Sequence, residues 1–158
     1  MKVLGSETID IHAGGQDLRF PHHENEIAQS ECATGKPFVR YWIHQGLLDI
    51  EGEKMSKSLG NIRNLDDVLK FVDALTLRYF LISGRYRDKL DFTEDSLHKC
   101  QSAVQRMVVA RREAERLLRA APDTDTDWSQ DKELAGLWEE FATAMDDDFN
   151  TPRALAAL

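Results

Sequence analysis

Cysteine is scarce in this chain. There are two in 158 residues, Cys32 and Cys100, far apart and without metal-type spacing. That excludes a disulfide-built scaffold and makes a reduced, cytoplasmic protein the simplest expectation. No apolar run is long enough to span a membrane, and the first residues lack a signal-peptide pattern, so no membrane partner is expected. Repeats and low-complexity tracts are missing as well. Only two or three short strands can be read, too few for a free-standing doubly wound sheet. Positive charge is in deficit overall, at −8, but unevenly: residues 1–63 come to −2, residues 64–121 to +2, and residues 122–158 to −8. The acidity of the last stretch therefore does not argue against nucleic acid near the first two.

The chain can bury one respectable core. Thr8 to His12 alternates apolar and polar residues and reads as a short strand, broken by Gly14-Gly15. Pro21 suits the first turn of a helix running to about Ala33. Phe38 to His44 and Leu47 to Ile50 read as strands, Leu65 to Phe71 as a helix. Asp73 is a plausible cap for a helix reaching about Ser83. Thr93, with Glu94 and Asp95, opens a long amphipathic helix to about Ala121, whose apolar stripe runs Leu97, Cys100, Val104, Met107, Ala114, Leu118, Ala121. Pro122 to Asp127 is a polar linker, Gln130 to Ala144 a helix, and Thr151-Pro152 starts another. The expected fold is α/β at the start and α-helical afterwards.

Three groups of residues carry chemistry. The run Lys54-Met55-Ser56-Lys57-Ser58 lies between Gly52 and Gly60-Asn61. It sets two cations and two hydroxyls on a loop, which suits the handling of a polyphosphate; a solvated turn is the plainer alternative. His22 and Glu26 are four apart on the expected helix, so they share one face and can both reach one zinc ion. In a first helical turn the dipole favours the neutral imidazole that a metal needs. The alternative is a surface hydrogen-bonded pair. Cys32 lies about 240° around the helix from Glu26, at ~100° per residue, and faces elsewhere. Gly14-Gly15 lets backbone approach a ligand closely, and Asp17 can accept hydrogen bonds from an adenylate or act as a local cap. His12 and Trp42-Ile43-His44 sit at strand ends where clefts form, with packing the first role for Trp42.

Several of these motifs occur together and in order. His12-Ala13-Gly14-Gly15-Gln16-Asp17-Leu18 runs into Phe20-Pro21-His22-His23-Glu24-Asn25-Glu26-Ile27-Ala28-Gln29-Ser30. Tyr41 to His44, Glu53 to Asn61 and Met145-Asp146-Asp147-Asp148-Phe149-Asn150-Thr151-Pro152 follow. The chain resembles the cysteinyl-tRNA synthetases, a family of class I aminoacyl-tRNA synthetases, over nearly its whole length. The resemblance implies the C-terminal part of a class I Rossmann-like catalytic domain in residues 1–63, a helical stem-contact region in 64–121, and an acidic linker with the start of a C-terminal helical domain in 122–158. It implies ATP with Mg²⁺, L-cysteine and tRNA(Cys) as partners, and a Zn²⁺ ion held by His22 and Glu26 with two cysteines that would lie upstream of Met1. Two ligands of four hold zinc weakly. His12, Gly14, Gly15 and Asp17 would face the adenylate. Lys57 would contact ATP with Ser56 and Ser58, and Lys54 and Lys57 would stabilise charge on the leaving pyrophosphate.

The His-Ile-Gly-His signature of class I synthetases does not occur in the sequence. The chain is therefore expected to be an internal fragment that does not catalyse cysteine-dependent ATP–pyrophosphate exchange alone. Two other readings stand beside this one. One is a segment of the related mycothiol-pathway ligase, which joins cysteine to an amino sugar without tRNA. The other is a non-catalytic module binding RNA or protein through Arg106, Arg111, Arg112, Arg116 and Arg119; the alternating Glu113 and Glu115 favour a solvated helix face instead.

Overall fold

The computed structural model describes residues 5–55, 64–121 and 127–158. They form two compact units, Met1–Leu47 with Tyr86–Lys89, and Leu48–Arg85 with Leu90–Leu158.

The first unit is a β-α-β arrangement. Strand β1 (Ile9–Gly15) pairs in parallel with β2 (Val39–Gln45), and helix α1 (Glu24–Thr34) connects them. The register sets His12 opposite Trp42 and Gly14 opposite His44. Contrary to the sequence expectation, Gly14-Gly15 continue the strand instead of breaking it, because their backbones still pair with His44 and Gln45. Helix α1 also starts later than Pro21. Phe20 is extended (φ −137°, ψ 134°), the preference of a residue before proline, and a separate turn over Arg19–His23 precedes the helix. Gly35, at φ 66°, ends α1 and donates to the Glu31 carbonyl at 2.8 Å. The Glu31 carboxylate then accepts from the Phe38 amide at 3.1 Å and steers the chain into β2.

Loop Tyr86–Lys89 closes this unit. Gly46 donates to the Tyr86 carbonyl at 2.6 Å, and the Gln16 side-chain amide donates to the Arg87 carbonyl at 2.7 Å. A Cβ at Gly46 would collide with the Asp88 carbonyl, so only glycine allows this approach. Helix α1 buries no residue, and the unit's buried side chains among the described residues are Phe38 and His23.

The second unit has an apolar core. Its sheet runs β4 (Glu53–Lys54), β3 (Leu48–Ile50), β5 (Leu90–Phe92), with β4 antiparallel and β5 parallel to β3. The β3–β4 hairpin turns through Glu51 (φ 52°) and Gly52 (φ 82°), both in the left-handed region that two-residue hairpins use. Helices α2 (Leu65–Val68), α3 (Ala74–Ile82) and α4 (Glu94–Ala120) pack Val68, Leu77, Phe80, Leu97 and Cys100 together. Phe80 is 1% exposed and meets the Phe92 ring edge-on at 5.4 Å.

The caps are built from the expected residues. Asp73 accepts from the amides of Leu75 and Thr76 and from the Thr76 hydroxyl, and Thr93 forms a reciprocal capping box with Ser96. The expected apolar stripe of α4 is buried only at Leu97, Cys100 and Val104; Met107 and Leu118 lie exposed. Helices α5 (Lys132–Asp146) and α6 (Thr151–Ala156) pack together, Ala144 and Ala154 are buried, and the Thr151 hydroxyl donates to the Gly84 carbonyl at 3.3 Å. No described helix is long and apolar enough to cross a membrane.

Candidate functional site

The first unit concentrates its polar chemistry on one face. Side chains two apart on a strand point the same way, so β1 presents His12 and Gly14 together and β2 presents Trp42 and His44. The Trp42 ring stacks on His12 at 4.6 Å and 20°, and lies parallel to His44 at 5.8 Å and 1°. Gly14 explains the next step. Its missing side chain leaves room for the His23 imidazole, since a Cβ there would fall 2.6 Å from His23 Cε1 and 2.8 Å from Nε2. His23 thereby sinks to 3% exposure beside Trp42 and His44. Its Nδ1 is 2.8 Å from His44 Nε2, one nitrogen donating and the other accepting.

Burial holds the His23 imidazole below the ordinary histidine range. The neighbouring His44, His12 and His22 push the same way, and Glu26 opposes them. His23 is therefore neutral at pH 7.

Glu26 projects from α1 between two histidines. Its Oε1 lies 3.4 Å from Nε2 of the exposed His22, and its Oε2 lies 3.7 Å from His12 Nε2. The second distance is too long for a hydrogen bond. Both Glu26 Oε2 and His12 Nδ1 are buried without a hydrogen-bond partner among the described residues. Donor atoms from His12, His23 and Glu26 come within 4.8 Å of one another. Neither cysteine joins them: Cys32 is exposed, and Cys100 is buried in the core of the second unit, where burial pushes its thiol pKa up.

The structure therefore brings His12, His22 and Glu26 together. The Cβ directions of Gly14 and Gly15 are both taken up within the unit. His23 occupies the space beside Gly14, and the Asp17 carboxylate folds back over Gly15. Ser56, Lys57 and Ser58 lie outside the described residues, as does the side chain of Lys54; the Lys54 backbone pairs with Asp49 in the β3–β4 hairpin. His23 was missed by sequence reasoning, although it is three residues before Glu26 and so shares its helical side. The arginines of α4 are partly engaged in ion pairs along their own helix, Arg111 with Glu115 at 2.8 Å and Arg116 with Glu113 at 2.6 Å.

A zinc ion with two protein bonds of ~2.0–2.2 Å at the tetrahedral angle sets its ligand atoms about 3.3–3.6 Å apart. The 3.4 Å between His22 Nε2 and Glu26 Oε1 fits such a pair.

The family described as tRNA synthetases class I (C) catalytic domain matches residues 1–102, and the DALR domain matches residues 140–158. The chain belongs to the class I (C) tRNA synthetase catalytic-domain family. It is 51% identical over 159 residues to the cysteine–tRNA ligase of Geobacter sulfurreducens, covering 98% of this chain and 32% of that protein. It is 48% identical over 157 residues to the corresponding ligase of Shewanella denitrificans, covering 99% and 32%. The chain thus spans about a third of the length of the curated relatives it matches.

Two solved structures share the fold. One is the Agrobacterium radiobacter K84 LeuRS in its ternary complex with tRNA and LeuAMS, at a TM-score of 0.70 and 20% identity, covering 94% of this chain and 21% of that one. The other is Mycobacterium tuberculosis methionyl-tRNA synthetase with methionyl-adenylate, at 0.68 and 22%, covering 94% and 31%. The fold is that of a class I synthetase catalytic domain with a helical region after it.

Proposed function

We propose that this chain supplies part of a cysteine–tRNA ligase, which activates cysteine with ATP and transfers it to tRNA(Cys) in the cytoplasm. The observation that carries the reading is identity of about one half to cysteine–tRNA ligases along almost the whole chain. The pairing of His22 with Glu26 supports it chemically. Two free cysteines are in keeping with a reducing compartment.

In this reading His22 and Glu26 hold a zinc ion, with further donors from the rest of the enzyme. When bound, the ion prefers a substrate thiolate to a neutral hydroxyl and so separates cysteine from serine. The chain's own residues arrange the surroundings. Glu26 projects from α1, and its inner oxygen is shielded from water beside His12. Trp42 and His44 hold the imidazoles of His12 and His23 in place. His12, with Gly14, Gly15 and Asp17, borders the adenylate. Activation needs no general base, because the attacking carboxylate is already ionised. Negative charge moves onto the leaving β- and γ-phosphates, and Lys54 and Lys57 stabilise it, with Ser56 and Ser58 donating to phosphate oxygens and Mg²⁺ accompanying ATP.

The test is a chimera in which residues 1–158 replace the matching third of the Geobacter sulfurreducens enzyme. It is expected to charge tRNA(Cys) with cysteine, and Lys57→Ala is expected to lower kcat about 10²–10³-fold. A folded chimera that charges no tRNA, or that instead joins cysteine to an amino sugar, would overturn the reading.

A further inference from the structure

We propose that the second unit holds a binding site for a small organic cation, an amine on an apolar body, in the cavity between α2, α4 and the β3–β4 turn. The cavity measures about 390 Å³, within the range of small-molecule sites. Its floor is apolar: Ile50, Val68, Val72, Phe92 and Leu97. Three elements supply it. Strands β3 and β5 contribute Ile50 and Phe92, and α2 with the turn after it contributes Val68 and Val72. On α4, Leu97 follows Glu94 by three residues and Gln101 follows Leu97 by four, so one helical face brings all three to the cavity.

The mouth is acidic. Glu51, Asp67 and Glu94 stand exposed around it, and no lysine or arginine lines the cavity among the described residues. Lys70 pairs with Asp67 at 2.7 Å, whereas Glu51 and Glu94 form no ion pair among the described residues. Carboxylates so placed repel anions, nucleotides included. A bare metal ion is not the occupant either: among the described residues these carboxylates and His98 do not bring three ligand atoms within 4.8 Å of one another. An apolar floor under an acidic rim is complemented by an apolar body that carries a positive nitrogen. Phe71, 83% exposed, also lines the cavity and offers its ring to such a cation.

Size and charge set the expected affinity. For a ligand of about twelve non-hydrogen atoms, the usual binding strength per atom corresponds to a Kd of about 0.2–2 mM. The proposal does not depend on the ligase reading: every residue of the cavity lies in the second unit, and its readouts are binding and ligand charge.

The experiment titrates the purified ¹⁵N-labelled chain with three indoles of similar shape: tryptamine, a cation; tryptophol, its neutral analogue; and indole-3-acetate, an anion. Tryptamine should bind one to one and move the amide resonances of Val68, Leu97 and Gln101. Tryptophol should bind about 3-fold or more weakly than tryptamine, and indole-3-acetate about 10-fold or more weakly. Glu51→Gln together with Glu94→Gln should bring tryptamine down to the level of tryptophol and leave tryptophol unchanged. Gln101→Trp should fill the cavity and abolish binding of both. The ranking of the three indoles on the wild-type chain decides the matter even if a variant fails to fold. No binding of tryptamine at about 5 mM, equal binding of the three indoles, shifts confined to residues outside the cavity, or a preference for tryptamine that survives the paired glutamine substitutions would each overturn the proposal. Self-association of the chain that Gln101→Trp abolishes would also overturn it, because a second copy would then fill the cavity.

Discussion

The two units solve the problem of an interior differently. The second fills its centre with Phe80, Leu77, Val68, Leu97 and Cys100. The first puts His23 at its centre, flanked by Trp42, His12 and His44, and leaves α1 without a buried residue. The apolar core lies in one unit and the histidine cluster in the other. A histidine layer is a poor source of folding energy, because each imidazole nitrogen left dry needs a partner. It is a good source of oriented ligands. Substitutions in the apolar core of the second unit should therefore act on stability, and those of His12, His22 and Glu26 in the first on binding.

The largest expected effect is Phe80→Ala. Removing a ring at 1% exposure should cost about 3–5 kcal/mol in urea unfolding. A loss under about 1 kcal/mol would contradict that role for the apolar core. Next comes Gly46→Ala, which should cost about 1–3 kcal/mol, because the new methyl would displace loop Tyr86–Lys89 from the end of β2. Proteolysis within that loop should rise in parallel; unchanged cleavage would contradict the close approach.

Asp73→Ala should cost about 1 kcal/mol through the lost cap of α3. The Thr76 hydroxyl holds the Asp73 carboxyl below its ordinary value of 3.8. A carboxyl depressed on folding stabilises above its unfolded pKa, and that contribution fades as pH falls from 3.8 toward the folded value. Asp73→Asn should flatten stability in that window, as followed by acid titration of helical signal.

The smallest difference is chemical. Exposed Cys32 should react with a thiol reagent in the native protein, while buried Cys100, with its thiol pKa raised, should react only on unfolding. Equal rates would erase the contrast between the two surroundings.

What the residues revealed in advance followed the same division. The caps at Asp73 and Thr93 were legible because they depend on a few neighbouring residues. Strand β2 was legible from Phe38 to His44. Strands β4 and β5, of two and three residues, were not, because each exists only through pairing with β3. The far half of the α4 stripe misled, since helical periodicity marks an apolar face without saying how much of it is covered. At the candidate site the sequence pattern picked out His22 and Glu26 but passed over His23. Its burial depends on the register that sets Gly14 beside His44, which no local spacing displays. Glycines that looked like a strand break turned out to continue β1, their missing side chains leaving room for His23 and Asp17.

Cysteine-dependent ATP–pyrophosphate exchange by the chimeric ligase carrying residues 1–158 tests the central claim most directly. The account predicts exchange with cysteine and little with serine, with loss of that preference on Glu26→Gln. Exchange that does not distinguish the two amino acids, or that is untouched by Glu26→Gln, would contradict it.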